Sequence, residues 1–162
     1  DAISIDLVRI GDTMSISQKC QYALRAAFEL AKQQGEGPVK ISEIARTQAI
    51  PTRFLEVILN QLKQGGFVDS RRGSAGGYIL SRPASELSVG EIIRFIEGPL
   101  APVQCVAGSS ADQCPLYNAC AFLPMWERAR EALTEVYDST SFQDLVELER
   151  LQQKQGVPDY CI

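Results

Sequence analysis

Cys105, Cys114 and Cys120 fall within sixteen residues, with eight residues between the first pair and five between the second. The intervening segments carry Gly108, Ser109, Ser110 and Pro115, so they read as loop. Three thiols on one loop can converge on one point, as a soft-metal or iron–sulfur site or as a thiol redox switch. The chain has no histidine, which excludes a Ser-His-Asp triad, a Cys-His pair and a mixed Cys/His zinc site. No glycine-rich nucleotide loop is present either, so catalysis is not the expectation.

Composition narrows the partners. The 162 residues suffice for one domain plus an appendage, and 45% hydrophobic with 22% charged residues is the balance of a soluble globular chain. No apolar run has the length of a membrane span, so no membrane partner is expected. No typical secretory signal stands out. Five cysteines, three of them clustered, suit a reducing compartment, and cytoplasm is the expected location. The net charge of −4 conceals an asymmetry. Residues 40–82 carry seven basic side chains against three acidic ones, whereas residues 83–162 carry five against twelve. A basic middle segment predicts an anion-binding surface, with nucleic acid the foremost partner and a merely solvated basic face the plain alternative.

The elements that place this surface are helical. Ser17 can cap a helix running through Tyr22, Ala23, Ala27, Leu30 and Ala31, ended by Gly35-Glu36-Gly37-Pro38. Ser42 is expected to cap a short helix, Glu43–Thr47, with Ile44 and Ala45 facing inward. Ala49-Ile50-Pro51 forms a turn, and Pro51 suits the first position of a helix over Thr52–Gln64. That helix is expected to bury Phe54, Leu55, Ile58, Leu59 and Leu62 and to stop at Gly65-Gly66. Two short helices joined by a tight turn form a helix-turn-helix layout. Phe67–Ser70 and Tyr78–Leu80 then read as strands joined by Arg71-Arg72-Gly73-Ser74-Ala75-Gly76-Gly77. Glycines let such a tip approach a surface closely, and arginines there can enter a minor groove. A helix-turn-helix followed directly by a hairpin is a winged helix. The expected fold is therefore mainly α with a small β-hairpin wing, followed by a long dimerisation helix.

Three runs carry a family resemblance: Gln21-Tyr22-Ala23-Leu24-Arg25, Ile50-Pro51-Thr52-Arg53-Phe54-Leu55-Glu56-Val57-Ile58, and Arg72-Gly73-Ser74-Ala75-Gly76-Gly77-Tyr78. From Met14 to roughly Asp138 the chain resembles the "Rrf-two" regulators. These include the bacterial iron–sulfur cluster regulator, the nitric-oxide-sensitive repressor and the cysteine-metabolism repressor. The resemblance implies a homodimeric winged-helix transcription factor that binds a double-stranded DNA operator with an affinity set by cluster or thiol state. It places Pro51, Thr52, Arg53 and Glu56 on the groove-facing side of the reading helix, and Arg71, Arg72, Gly73, Gly76 and Gly77 at the wing. It also makes Cys105, Cys114 and Cys120 the ligands of an iron–sulfur cluster, 2Fe–2S or 4Fe–4S. Helical periodicity agrees on sidedness, because Thr52, Arg53 and Glu56 share a polar face. Arg53 can then donate to a guanine edge and Glu56 accept from a cytosine amino group. An exposed side-chain pair of small value is the plain alternative.

The chain departs from the family at the fourth ligand. Some cluster-binding members use a histidine soon after the third cysteine, and others an acidic residue where this chain has Gln21. Cys20, one position earlier, offers the right chemistry; its alternative role is a small buried apolar residue. Farther on, Ser88-Val89-Gly90-Glu91 is a capping box for a helix over Val89–Glu97. Met125, Trp126, Ala129, Leu133, Val136 and Tyr137 recur at helical spacing, a stripe that a second copy would bury unless it packs on its own domain. Phe142–Lys154 reads as a final acidic amphipathic helix. The expected organisation is an extension at 1–13 ahead of Met14, with a weak strand signal at Ile3, Ile5 and Leu7. A winged helix-turn-helix at 14–98 follows, then a cysteine loop at 99–123 and a dimerisation helix with tail at 124–162. The competing function is a cluster-free interaction module, or a thiol-switch repressor of cysteine and sulfur metabolism.

Overall fold

A computed structural model describes residues 16–108 and 114–156. The extension at 1–13, Met14, Cys161 and the middle of the cysteine loop lie outside the described residues. Among the described residues six α-helices and one hairpin follow in order: α1 (Gln18–Lys32), α2 (Ile41–Thr47), α3 (Thr52–Gln64), β1 (Val68–Arg71), β2 (Gly77–Leu80), α4 (Val89–Glu97), α5 (Leu123–Ser139) and α6 (Phe142–Lys154). Among the described residues no helix is long and apolar enough to cross a membrane.

Helix α1 is the central element, packed against α3, α4, α6 and β2. Its small inner stripe, Ala23, Ala26 and Ala27 with Leu30, lets three helices approach one axis. Leu55, Ile58, Leu59 and Leu62 of α3 complete the core with Ile44, Val68, Leu87, Ile92, Phe142 and Val146. Burying a side chain such as Phe142 contributes about 1.5–3 kcal/mol relative to leaving it in water. The capping residue Ser17 accepts a hydrogen bond from the Cys20 N–H at 3.1 Å, as its sequence position predicts. Two capping boxes, Ser88 with Glu91 and Ser141 with Asp144, start α4 and α6. These starts lie side by side, because the Val89 N–H donates to the Thr140 carbonyl and the Phe142 N–H to the Leu87 carbonyl.

The second helix corrects one expectation. Ser42 lies inside α2, which begins at Ile41 after Lys40, and no side chain caps it. Ile41 packs on the core, and that burial extends the helix backward past the polar cap. The α2–α3 turn is tight, with Ala49 at φ 48°, a left-handed conformation uncommon outside glycine. It is pinned from below: Gln48 Nε2 donates to the buried Glu29 carboxylate at 2.7 Å. Lys32 bridges Glu29 and Glu149, each at 3.3 Å, and so joins α6 to the same point. Pro51 stands just before α3, not at its first position.

The hairpin is antiparallel, with Val68 opposite Leu80 and Arg71 opposite Gly77, one residue later at its first strand than the sequence predicts. Val39 adds a third rung, its N–H donating to the Tyr78 carbonyl at 2.9 Å and its carbonyl accepting from the Tyr78 N–H at 2.8 Å. A Cβ at Gly77 would come within 2.4 Å of the Val39 carbonyl oxygen, so this rung requires glycine. At the wing's base the Phe67 and Phe95 rings pack with centroids 5.1 Å apart, tying the hairpin to α4. Helices α4 and α5 cross where a Cβ at Gly90 would meet Asp138 Oδ1 at 2.0 Å, and Asp138 accepts from Arg94 at 2.7 Å.

Candidate nucleic-acid interface and cysteine loop

The outer face of α3 and the wing tip are both exposed, and both carry basic side chains. Pro51, Thr52, Arg53, Glu56 and Asn60 are all exposed on α3, opposite the buried Leu55, Ile58 and Leu62. Arg71 closes β1, and Arg72, Gly73, Ser74 and Ala75 form an exposed tip with Gly73 at φ 109°. Gly76 and Gly77 are half-buried, and a Cβ at Gly76 would sit 2.2 Å from the Arg71 carbonyl oxygen. Gly76 therefore lets the wing close on itself and Gly77 lets it pair with Val39, while Arg71 and Arg72 are exposed. Lys63 donates to the Ser70 hydroxyl and so fixes the wing's first strand to α3.

One expectation fails on this face. Phe54 is not a core residue; it is 47% exposed, and the Arg53 guanidinium stacks on its ring at 4.7 Å from the centroid. Leu55, one position on, is fully buried, as expected. Val57 is 62% exposed in the middle of the same face. A count of angular positions, 100° per residue, sets Val57 opposite the buried stripe, and that was the signal available in the sequence.

Cys105 lies in a 3₁₀ turn, Gln104–Val106, that packs against α5; Cys114 and Cys120 flank a second such turn, Tyr117–Ala119. All three are half-buried free thiols. Among the described residues, no three Cys, Asp or Glu side chains are gathered closely enough to hold a metal ion. The donors match an iron–sulfur cluster in kind, and ligation would require the loop to close further. Arg130 on α5 adds a second compatible feature, a buried Nε with no acceptor among the described residues, which an anionic group could satisfy.

Cys20 sits apart from this donor set. Its side chain is fully buried at the start of α1, and burial together with the neighbouring Glu97 carboxylate pushes the thiol up to about 12. Glu97, at the end of α4, accepts from the Ser17 N–H at 3.1 Å and from the Ser17 hydroxyl. Sequence reasoning missed Glu97 because its partners lie eighty residues away.

Helix α5 presents two faces. Trp126, Ala129, Leu133 and Tyr137 are half-buried, whereas Phe122, Met125 and Val136 are 64%, 48% and 60% exposed. The helix packs on α4 and on the Gln104–Val106 turn. The stripe expected at a dimer seam thus divides, with Met125 and Val136 facing outward.

The comparisons with known proteins agree with this architecture. Residues 16–148 match the family model Rrf2, described as an iron-dependent transcriptional regulator. The chain is 39% identical over 132 residues to the transcriptional regulator CymR of Bacillus subtilis, covering 82% of this chain and 89% of that one. It is 30% identical over 133 residues to IscR of Photorhabdus laumondii, covering 82% and 79%. The solved structure of CymR, the global cysteine regulator of B. subtilis, superimposes with a TM-score of 0.69 at 36% identity, covering 84% of this chain and 98% of that one. T. potens IscR gives 0.69 at 32% identity, covering 90% and 94%. With its helix-turn-helix, hairpin wing and long fifth helix, the chain belongs to the Rrf2 family of winged-helix transcriptional regulators.

Proposed function

We propose that this regulator binds a double-stranded DNA operator as a homodimer, and that the three-cysteine loop sets its affinity. The observation that carries the reading is the joint exposure of Arg53 and Glu56 on α3 and of Arg71 and Arg72 at the wing tip, on two elements tied by the Lys63–Ser70 hydrogen bond. Pro51 leads into the reading helix, and the backbone N–H groups of Thr52 and Arg53 at its start lack helical partners and can meet phosphate. The wing glycines Gly73, Gly76 and Gly77 give the tip its close-approach geometry. A dimer is required because one reading helix covers one half-site.

Cys105, Cys114 and Cys120 are the residues that would hold an iron–sulfur cluster. When bound, a cluster supplies a redox- and ligand-sensitive iron centre. Cys20 fits the fourth position poorly, because its side chain is fully buried at the start of α1, against Glu97 and apart from the half-buried loop thiols. The Ser17–Glu97 contact joins the end of α4, where the loop departs, to the start of α1, which supports α3. Closure of the loop would thereby bias the reading helix by a coupling of about 1–3 kcal/mol.

The test is iron and sulfide content of anaerobically purified protein, with operator affinity measured in parallel for Cys105→Ala, Cys114→Ala, Cys120→Ala and Cys20→Ala. Loss of iron with each loop variant, but not with Cys20→Ala, supports the cluster. A second reading, a thiol switch without a cluster, is favoured by the spread of the three thiols among the described residues. It predicts no iron after reconstitution and an operator affinity that responds to thiol oxidants alone.

A further inference from the structure

Val57 stands in the middle of the outward face of α3, four residues after Arg53 and three before Asn60, with 62% of its surface exposed. Phe54 borders it on one side, 47% exposed, with its ring under the Arg53 guanidinium. A β-branched residue gains nothing from an exposed helix position, where it loses rotamer freedom and exposes methyl groups to water. The surroundings are cationic: Arg53, Lys63, Arg71 and Arg72 lie on the same two elements, with Glu56 and Asp69 the acidic side chains there. The occupant of this apolar spot must therefore be an anion that carries a methyl group at its surface. Duplex DNA fits, because thymine projects its C5-methyl into the major groove beside the hydrogen-bonding edges.

We infer that Val57 is a specificity-determining residue that packs on a thymine methyl, with Phe54 holding the Arg53 guanidinium beside it at the neighbouring base pair. The inference rests on the DNA-binding reading above and adds a base to it: each half-site must contain a thymine at one fixed step from the base that Arg53 contacts. Spacing on the helix supports this. Residues four apart lie one turn and about 6 Å apart along the axis, within two base-pair steps of about 3.4 Å in the groove.

The experiment uses the full chain, purified anaerobically. A randomised duplex pool is selected with the parent protein, and each thymine of the selected duplex is then replaced singly by deoxyuridine, which removes only the methyl. At one thymine per half-site this should weaken binding about fourfold, the effect of one buried methyl group. Val57→Ala alters both protomers, so it should bind the thymine duplex about as weakly as the parent binds a duplex with deoxyuridine in both half-sites, and should ignore the replacement. Circular dichroism of Val57→Ala should match the parent, since the position is exposed and alanine favours helix. If the parent is indifferent to deoxyuridine at every thymine, or Val57→Ala keeps the parent's sensitivity, the inference is overturned. Unchanged duplex binding by Val57→Ala would likewise overturn it. If the parent enriches no sequence at all, the DNA-binding reading itself fails, a result distinct from enrichment without methyl sensitivity.

Discussion

The Cys20 thiol lies against the Glu97 carboxylate, and the same carboxylate holds the Ser17 N–H at 3.1 Å. Burial, reinforced by this acidic group at the end of α4, keeps the thiol protonated, and the same group secures the start of α1. Treatment of native protein with iodoacetamide at pH 8 should modify Cys105, Cys114 and Cys120 and spare Cys20 until denaturant is added. Peptide masses after a timed quench read this directly, and modification of Cys20 at the loop's rate would refute it. The same thiol gives a pH signature. Its folded value of about 12 stands above the ordinary 9.0, so its contribution to stability is complete below pH 9 and is lost as pH rises toward 12. Over that window the parent should lose stability faster than Cys20→Ala, by up to about 1.4 kcal/mol per pH unit.

Arg72 at the wing tip is exposed, so Arg72→Ala should weaken operator binding without moving the thermal midpoint. A phosphate contact would also flatten the salt slope by about one unit, whereas a minor-groove contact would change the preference for A·T pairs. Gly77→Ala is the useful contrast. It should loosen the wing from Val39 and lower both stability and affinity. Equal operator binding by Arg72→Ala and parent at physiological salt would remove the wing from the interface.

Arg53 and Glu56 should govern base choice. Selection with Arg53→Ala should relax one base position, at about 1–3 kcal/mol for a lost bidentate contact. Uniform weakening across all sequences would instead assign Arg53 to phosphate.

Val136 is the position at which to test the dimer. It is exposed on α5, whereas Leu133 is half-buried on the same helix. Val136→Glu should give folded monomers in sedimentation and lose operator affinity; Leu133→Glu should in addition lower the thermal midpoint. A Val136→Glu protein that still sediments as a dimer would place the seam elsewhere.

Caps and breakers were legible in the sequence because their physics is local. Ser17, Ser88 and the Gly65-Gly66 stop act within one helical turn, and α4 and α6 run over the predicted residues. Ser42 failed as a cap because burial of Ile41, a tertiary effect, outweighed one hydrogen bond. Phe54 was misplaced because Phe-Leu offers two adjacent apolar residues and the helix turns only one of them inward. The reading helix and wing followed from composition and order. The polar joints did not: Glu29 with Gln48, and Glu97 with Ser17, are pairs between distant segments with no local pattern to announce them.

The crossing of α4 over α5 has an evolutionary consequence. Any side chain at position 90 must displace the Asp138 carboxylate and so release Arg94, although the two positions are forty-eight residues apart. Positions 90, 94 and 138 should accordingly behave as one heritable unit, in which glycine, arginine and aspartate are kept together or exchanged together. Related chains that carry alanine or a larger residue at 90 should lack the acid at 138, and an alignment of them would reveal that covariation directly.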